Sequence, residues 1–184
     1  MDIILLQQVG IKRNSEGNVI YQNKEKSDLV LNVNYTYILN ELLTGTTNIQ
    51  FKDYANPTAL VIASQLSRKY AIKTGTTTSD YWIAGYNPDI LMVTWVGYDD
   101  NHDVETKYSS LSKKIWADTV EAIVKEKEPK WYDTPDNVVG IVLDAVSGKP
   151  TTNTSKATLF YYVKGTEDSI NNVEYVFKDE DEED

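Results

Sequence analysis

Between residues 70 and 98 the chain carries three strand signals in quick succession: Tyr70–Thr77, Tyr81–Tyr86 and Ile90–Tyr98. The links between them, Thr78-Ser79-Asp80 and Asn87-Pro88-Asp89, are three residues each. Links this short join antiparallel neighbours, because a parallel pair needs a crossover of about a dozen residues or more. The stretch therefore predicts a three-stranded meander. Its third and most apolar segment, Ile-Leu-Met-Val-Thr-Trp-Val-Gly-Tyr, reads as the central strand.

The rest of the chain arranges itself around this meander. Val9–Arg13 and Asn18–Tyr21 flank Asn14-Ser15-Glu16-Gly17 and read as a hairpin, with Gly17 available for a positive φ. Asp28–Val33 reads as extended. Asn34 then caps a helix whose apolar face is Ile38, Leu39, Leu42 and Leu43, and Gly45 ends it. Pro57 opens a second helix with the stripe Ala59, Leu60, Ile62, Ala63 and Leu66.

After the meander, Ser109–Lys127 reads as an amphipathic helix facing inward with Leu111, Ile115, Ala117 or Asp118, Ala122 and Ile123, and Trp116 adding bulk. Pro129 stops it. A linker over 130–137 leads to further strand signals at 138–144, 158–163 and 173–177.

Composition narrows the chemistry. The chain has 28 acidic and 18 basic side chains and a net charge of −10. Residues 179–184 are all Asp or Glu; without them 22 acidic and 18 basic side chains remain, a net −4. The tail reads as a solvated, disordered end. With no Lys/Arg cluster, nucleic acid is a poor partner. The absence of cysteine excludes a thiolate nucleophile and Cys-based metal sites, and the lone His102 excludes a His-rich metal centre. No metal or other cofactor is expected. Asp99-Asp100-Asn101-His102-Asp103 clusters oxygen ligands, but Val104 and Ser110 stand where a calcium loop wants Gly and Glu, so an exposed turn is expected. Trp82, Trp95, Trp116 and Trp131 read as packing residues rather than a carbohydrate platform. Residues 1–8 lack the pattern of a secretory leader, since an acidic residue precedes an apolar run of four.

The sharpest local feature is Lys73-Thr74-Gly75-Thr76-Thr77 on the first meander strand. Gly75 lets a substrate backbone lie close. Lys73 can project an ammonium opposite to Thr74. The amide of Thr76 could donate to a developing oxyanion, and the hydroxyls of Thr74, Thr76 and Thr77 can bind a carboxylate.

This strand resembles the Lys-Thr-Gly motif of serine acyltransferases of the penicillin-binding protein and β-lactamase superfamily. The match extends through Asp80-Tyr81-Trp82-Ile83-Ala84-Gly85-Tyr86-Asn87-Pro88 and Val93-Thr94-Trp95-Val96-Gly97-Tyr98-Asp99-Asp100. Together these are similar to the end of a class A penicillin-binding protein transpeptidase domain. Gly17–Tyr21, Leu42–Thr46 and residues 138–166 agree, so the resemblance covers about residues 10–166.

The resemblance implies a partial β-lactamase/transpeptidase-like α+β fold, an antiparallel sheet backed by helices. Residues 1–130 would be the C-terminal portion of the transpeptidase domain, 136–178 a small β-rich appendage and 179–184 the acidic tail. It implies D,D-transpeptidation of a peptidoglycan stem peptide, with β-lactams as mimics, at the extracytoplasmic face of the membrane through an anchor upstream of this chain. Lys73 and Thr76 would be catalytic: Lys73 aids proton transfer and Thr76 supplies half the oxyanion hole. Thr74, Gly75, Thr76 and Thr77 would bind substrate.

The departures from the family are equally informative. The family's acylated serine lies in a Ser-x-x-Lys motif upstream of Lys-Thr-Gly, with Ser-x-Asn between. Neither occurs upstream of Lys73; Ser64-Gln65-Leu66-Ser67 lacks the lysine. Ser110-Leu111-Ser112-Lys113 has the spacing but lies downstream, where an exposed helix start capped by Ser109 or Ser110 is expected. The chain alone is therefore expected to be catalytically silent. The alternative is a non-catalytic peptide-binding or structural module of the same fold, acting with a partner chain along an exposed strand edge. The family's sheet takes further strands from upstream of the serine, so the strand Ile90–Tyr98 is expected to keep one edge uncovered.

Overall fold

The computed structural model describes residues 11–22 and 30–167. The expected strand at 173–177, the acidic tail, residues 1–8 and the start of the extended segment at 28 lie outside the described residues. The fold is α+β. Strands β1 (Ile11–Arg13) and β2 (Val19–Gln22) form the first hairpin. Gly17 in its turn has φ +83°, a conformation that disfavours a side chain.

The meander consists of β3 (Ala71–Thr76), β4 (Asp80–Asn87) and β5 (Ile90–Gly97), all antiparallel, in the order β3-β4-β5. The central strand is thus β4, not the more apolar β5. Among the described residues β5 pairs only with β4 and keeps its other edge uncovered. Its apolar run is only half used for burial: Ile90 and Met92 pack against the core, whereas Leu91, Val93 and Trp95 are exposed.

Register sorts the side chains into two faces. Gly75, Trp82 and Trp95 line up across the sheet, as do Lys73, Ala84 and Val93, and Ala71, Tyr86 and Leu91. We call this face the front. The back carries Ile72, Gly85 and Met92, then Thr74, Ile83 and Thr94, then Thr76, Tyr81 and Val96.

Helix α2 (Leu111–Val124) covers the back and completes the core with Ala59, Ile62, Tyr70, Ile72 and Ile83. Its buried residues are Ser112, Trp116, Ala117, Val120 and Val124, whereas Leu111, Ile115 and Ile123 are exposed. The expected inward stripe was therefore rotated by about one residue. The cause is Gly85, whose missing side chain opens a slot in the sheet that the indole of Trp116 fills. Trp116 also donates its Nε1–H to the Met92 carbonyl at 2.9 Å, which phases the helix.

Helix α1 (Val33–Thr44) is capped by Asn32, not Asn34: the Asn32 side chain accepts from the amides of Asn34 and Tyr35. Gly45 ends it as expected. Its buried face is Thr36, Tyr37 and Asn40, while Leu39 and Leu42 are exposed. The polar face turns inward because it has partners there. Asn40 accepts from the Tyr86 hydroxyl at 2.7 Å, and Tyr37 accepts from Thr134 at 2.8 Å. The expected helix from Pro57 is a 3₁₀ segment, Leu60–Gln65, with Ile62 buried.

Strands β6 (Val138–Asp144) and β7 (Ala157–Val163) pair antiparallel and pack against α1 through Tyr161, set edge-on to Tyr37. No helix among the described residues is long and apolar enough to cross a membrane.

Candidate functional site

Strand β3 brings Lys73 through Thr76 to an edge of the sheet that pairs with no other strand among the described residues, and Thr77 follows at its end. The Thr77 amide donates to the Asp80 carbonyl at 3.0 Å, so residue 77 faces β4. Backbone groups alternate in direction along a strand. Thr76 and Thr74 therefore turn their amides and carbonyls toward the open edge.

The side chains divide by face. Lys73 and Gly75 belong to the front and Thr74 and Thr76 to the back, so the expected opposition of Lys73 and Thr74 holds. The Lys73 ammonium donates to the Thr74 carbonyl at 2.9 Å, which places a cation along the open edge. Thr74 is not free: its hydroxyl bonds that of Thr58 at 2.8 Å. Thr77 donates to Asp80 at 3.0 Å, so its hydroxyl braces the turn. Thr76 is exposed. A Cβ at Gly75 would stand 3.3 Å from Trp82 Cβ, so the glycine keeps the front of the strand low beside that ring.

Sequence reasoning missed the residues that brace this edge. Asp80 accepts from Trp95 Nε1 at 2.6 Å, from Thr77 at 3.0 Å and from Ser79 at 3.2 Å. The indole of Trp95 foremost holds the Asp80 carboxyl below its ordinary value. Gly97 makes room for the Trp95 ring, which a side chain there would strike. Trp82 and Trp95 are 44% and 40% exposed, with ring centroids 6.1 Å apart, so this pair is not core packing. Trp116 is buried as expected. A period-two reading of the two tryptophans on adjacent strands could have placed both on one face.

Ser110 and Lys113 lie at the start of α2, which packs on the back of the sheet, while Lys73 belongs to the front. Lys113 donates to the Ser109 carbonyl at 3.2 Å, and burial pulls its ammonium below the usual lysine value. Ser110 occupies the cap position but makes no capping bond with its side chain. His102 is an exposed loop residue stacked on Tyr98 and bonded to Asp100.

No family model matches the chain. It is 33% identical over 153 residues to penicillin-binding protein 2D of Bacillus subtilis, across 82% of this chain. It is 26% identical over 141 residues to penicillin-binding protein 1A of Clostridium botulinum, across 76% of this chain. The chain is related to the class A penicillin-binding proteins. The crystal structure of penicillin-binding protein 1A from Haemophilus influenzae matches 78% of the chain with a TM-score of 0.62 at 22% identity, a likeness of fold. This penicillin-binding protein relative spans 22%, 16% and 22% of the lengths of those three proteins, about a fifth of each.

Proposed function

We propose that this chain supplies the substrate-binding strand of a peptidoglycan D,D-transpeptidase and depends on a second segment for its nucleophile. The open edge of β3, with the Thr74 and Thr76 backbone turned outward beside the Lys73 ammonium, carries the reading. An extended stem peptide would add to that edge as a strand. Lys73 would hold its terminal carboxylate and aid proton transfer, with Thr76 adding a hydroxyl donor and Thr74 a second once its hydroxyl leaves Thr58. The Thr76 amide would stabilise the oxyanion formed when a serine attacks the D-Ala carbonyl. β-Lactams would enter as mimics of that peptide. The work would take place on the outer face of the membrane.

No Ser-x-x-Lys stands upstream of Lys73, and the downstream Ser110 sits with the helix that covers the opposite face. The chain alone is accordingly silent in acyl transfer. A second reading, a non-catalytic module that holds peptides by strand addition, is favoured by that same missing motif.

Labelling with a fluorescent penicillin tests the first reading. The purified chain takes no covalent label. Mixed with the transpeptidase segment of a relative that carries Ser-x-x-Lys and Ser-x-Asn, it supports labelling of that segment, and Lys73→Ala abolishes the support. Peptide binding with no such support selects the second reading. A label on this chain alone, lost in Ser110→Ala, overturns both.

A further inference from the structure

Thr58 reaches the open edge of β3 from outside the Lys73–Thr77 run. It lies just ahead of the 3₁₀ segment Leu60–Gln65. Pro57 and Ala59 on either side of it are buried, and the Ala59 amide donates to the Thr46 carbonyl at 2.9 Å. Ala59 and Ile62 belong to the core with Ile72 and Ile83. The chain is thus anchored on both sides of residue 58, while Thr58 itself is exposed.

Two groups converge on Thr74 from opposite faces of the sheet. Lys73, a front-face residue, donates its ammonium proton to the Thr74 carbonyl at 2.9 Å. On the back, the Thr74 hydroxyl donates to the Thr58 hydroxyl at 2.8 Å. The direction of that bond decides which proton is available. A hydroxyl carries one proton to donate and two lone pairs to accept with. Thr74 has committed its proton to Thr58. Thr58 keeps its own, and among the described residues nothing accepts it. A hydroxyl that already accepts one hydrogen bond is polarised to donate a stronger one.

We infer that Thr58 is a further binding residue for the terminal carboxylate of an extended peptide on β3, donating its hydroxyl proton beside the Lys73 ammonium. The hydrogen bonds then run in one sense, from Thr74 to Thr58 and from Thr58 to the carboxylate. This rests on the proposed role of β3 as a substrate-binding strand and adds to it a residue outside the Lys-Thr-Gly motif. The bond to a carboxylate is charge-assisted, so a peptide ending in an amide gains less from it. Thr58 also loses little freedom on binding. Its branched side chain has few rotamers and is already tied to Thr74.

Nuclear magnetic resonance titration of the full chain tests this, with N-acetyl-D-alanyl-D-alanine and its C-terminal amide as probes. The parent chain should bind the free acid more tightly than the amide. Thr58→Val keeps the shape and removes the hydroxyl. It should weaken binding of the free acid about fivefold or more and leave the amide unchanged. Thr58→Ala, a second variant without a hydroxyl, should do the same, and Thr58→Ser should restore the parent affinity. Amide spectra of the free variants report whether each keeps the parent fold, which is expected at an exposed position. Parent-like binding of the free acid by Thr58→Val or Thr58→Ala overturns the inference and leaves the proposed function standing. Equal losses for acid and amide, or no rescue by Thr58→Ser, reduce Thr58 to a structural prop and overturn it too. A parent chain that does not distinguish acid from amide overturns the proposed function and this inference together.

Discussion

The indole of Trp116 occupies the space that a side chain at Gly85 would need, so a strand residue and a helix residue form one joint. Trp116 is fully buried, stands edge-on to Tyr70 at 5.1 Å and donates to the Met92 carbonyl. Gly85→Ala should displace the ring and cost about 1–3 kcal/mol by overpacking. Trp116→Ala should cost about 3–5 kcal/mol through the cavity left behind. Urea unfolding followed by far-ultraviolet circular dichroism measures both. A Gly85→Ala protein as stable as the parent would refute the joint.

Asp80 should behave as a pin for Trp95. Its carboxyl is depressed below the ordinary 3.8, chiefly by the Trp95 indole. A depressed carboxyl contributes stability above its ordinary value and loses it as pH falls through the lower, folded-state value. Acidification below about 3.8 should therefore release the indole, visible as a shift of the Trp95 Nε1–H resonance. Asp80→Asn should remove that titration while leaving the resonances of the β6–β7 hairpin in place.

Glu41 should couple the sheet to the C-terminal hairpin. Its nearly buried carboxylate accepts from Lys69 at 2.8 and 2.9 Å and from the Trp131 indole at 2.6 Å. The Lys69 ammonium also lies 4.8 Å from the Trp131 ring centroid. Glu41→Ala leaves the partly buried Trp131 indole N–H without its acceptor and should cost about 1–3 kcal/mol. Amide exchange should then accelerate in residues 131–144 more than in β4. Uniform acceleration would mean that the group is only part of the general core.

Lys73 should be neutral for stability and decisive for binding. It is exposed and its bond goes to a neighbouring carbonyl. Lys73→Ala should change stability by no more than about 0.5 kcal/mol, as surface changes usually do. Under the proposed function it should lower affinity for a peptide ending in a free carboxylate at least tenfold, and less for the amidated peptide. Calorimetric titration separates the two outcomes.

The meander, its turns and the placement of Lys73–Thr76 on its first strand, with Thr77 just past its end, were legible in the chain because they depend on local rules. Short turns force antiparallel pairing, and period two assigns faces. The helix faces were not legible. Leu39 and Leu42 looked like the inner stripe of α1, yet Tyr37 and Asn40 are buried because Thr134, Tyr161 and Tyr86 supply partners there. Hydropathy cannot anticipate a buried polar group whose partner lies dozens of residues away. The same holds for α2, where a glycine in β4 sets which helix residue points inward.

The sequence by itself determined the class of structure, the antiparallel order of residues 71–97 and the likeness to penicillin-binding proteins, because each follows from neighbours along the chain. Tertiary structure alone decided that Trp82 and Trp95 form an exposed pair braced by Asp80, and which faces of α1 and α2 turn inward. Those outcomes depend on which groups meet across space, where a missing side chain at Gly85 or a distant carboxylate outweighs local preference.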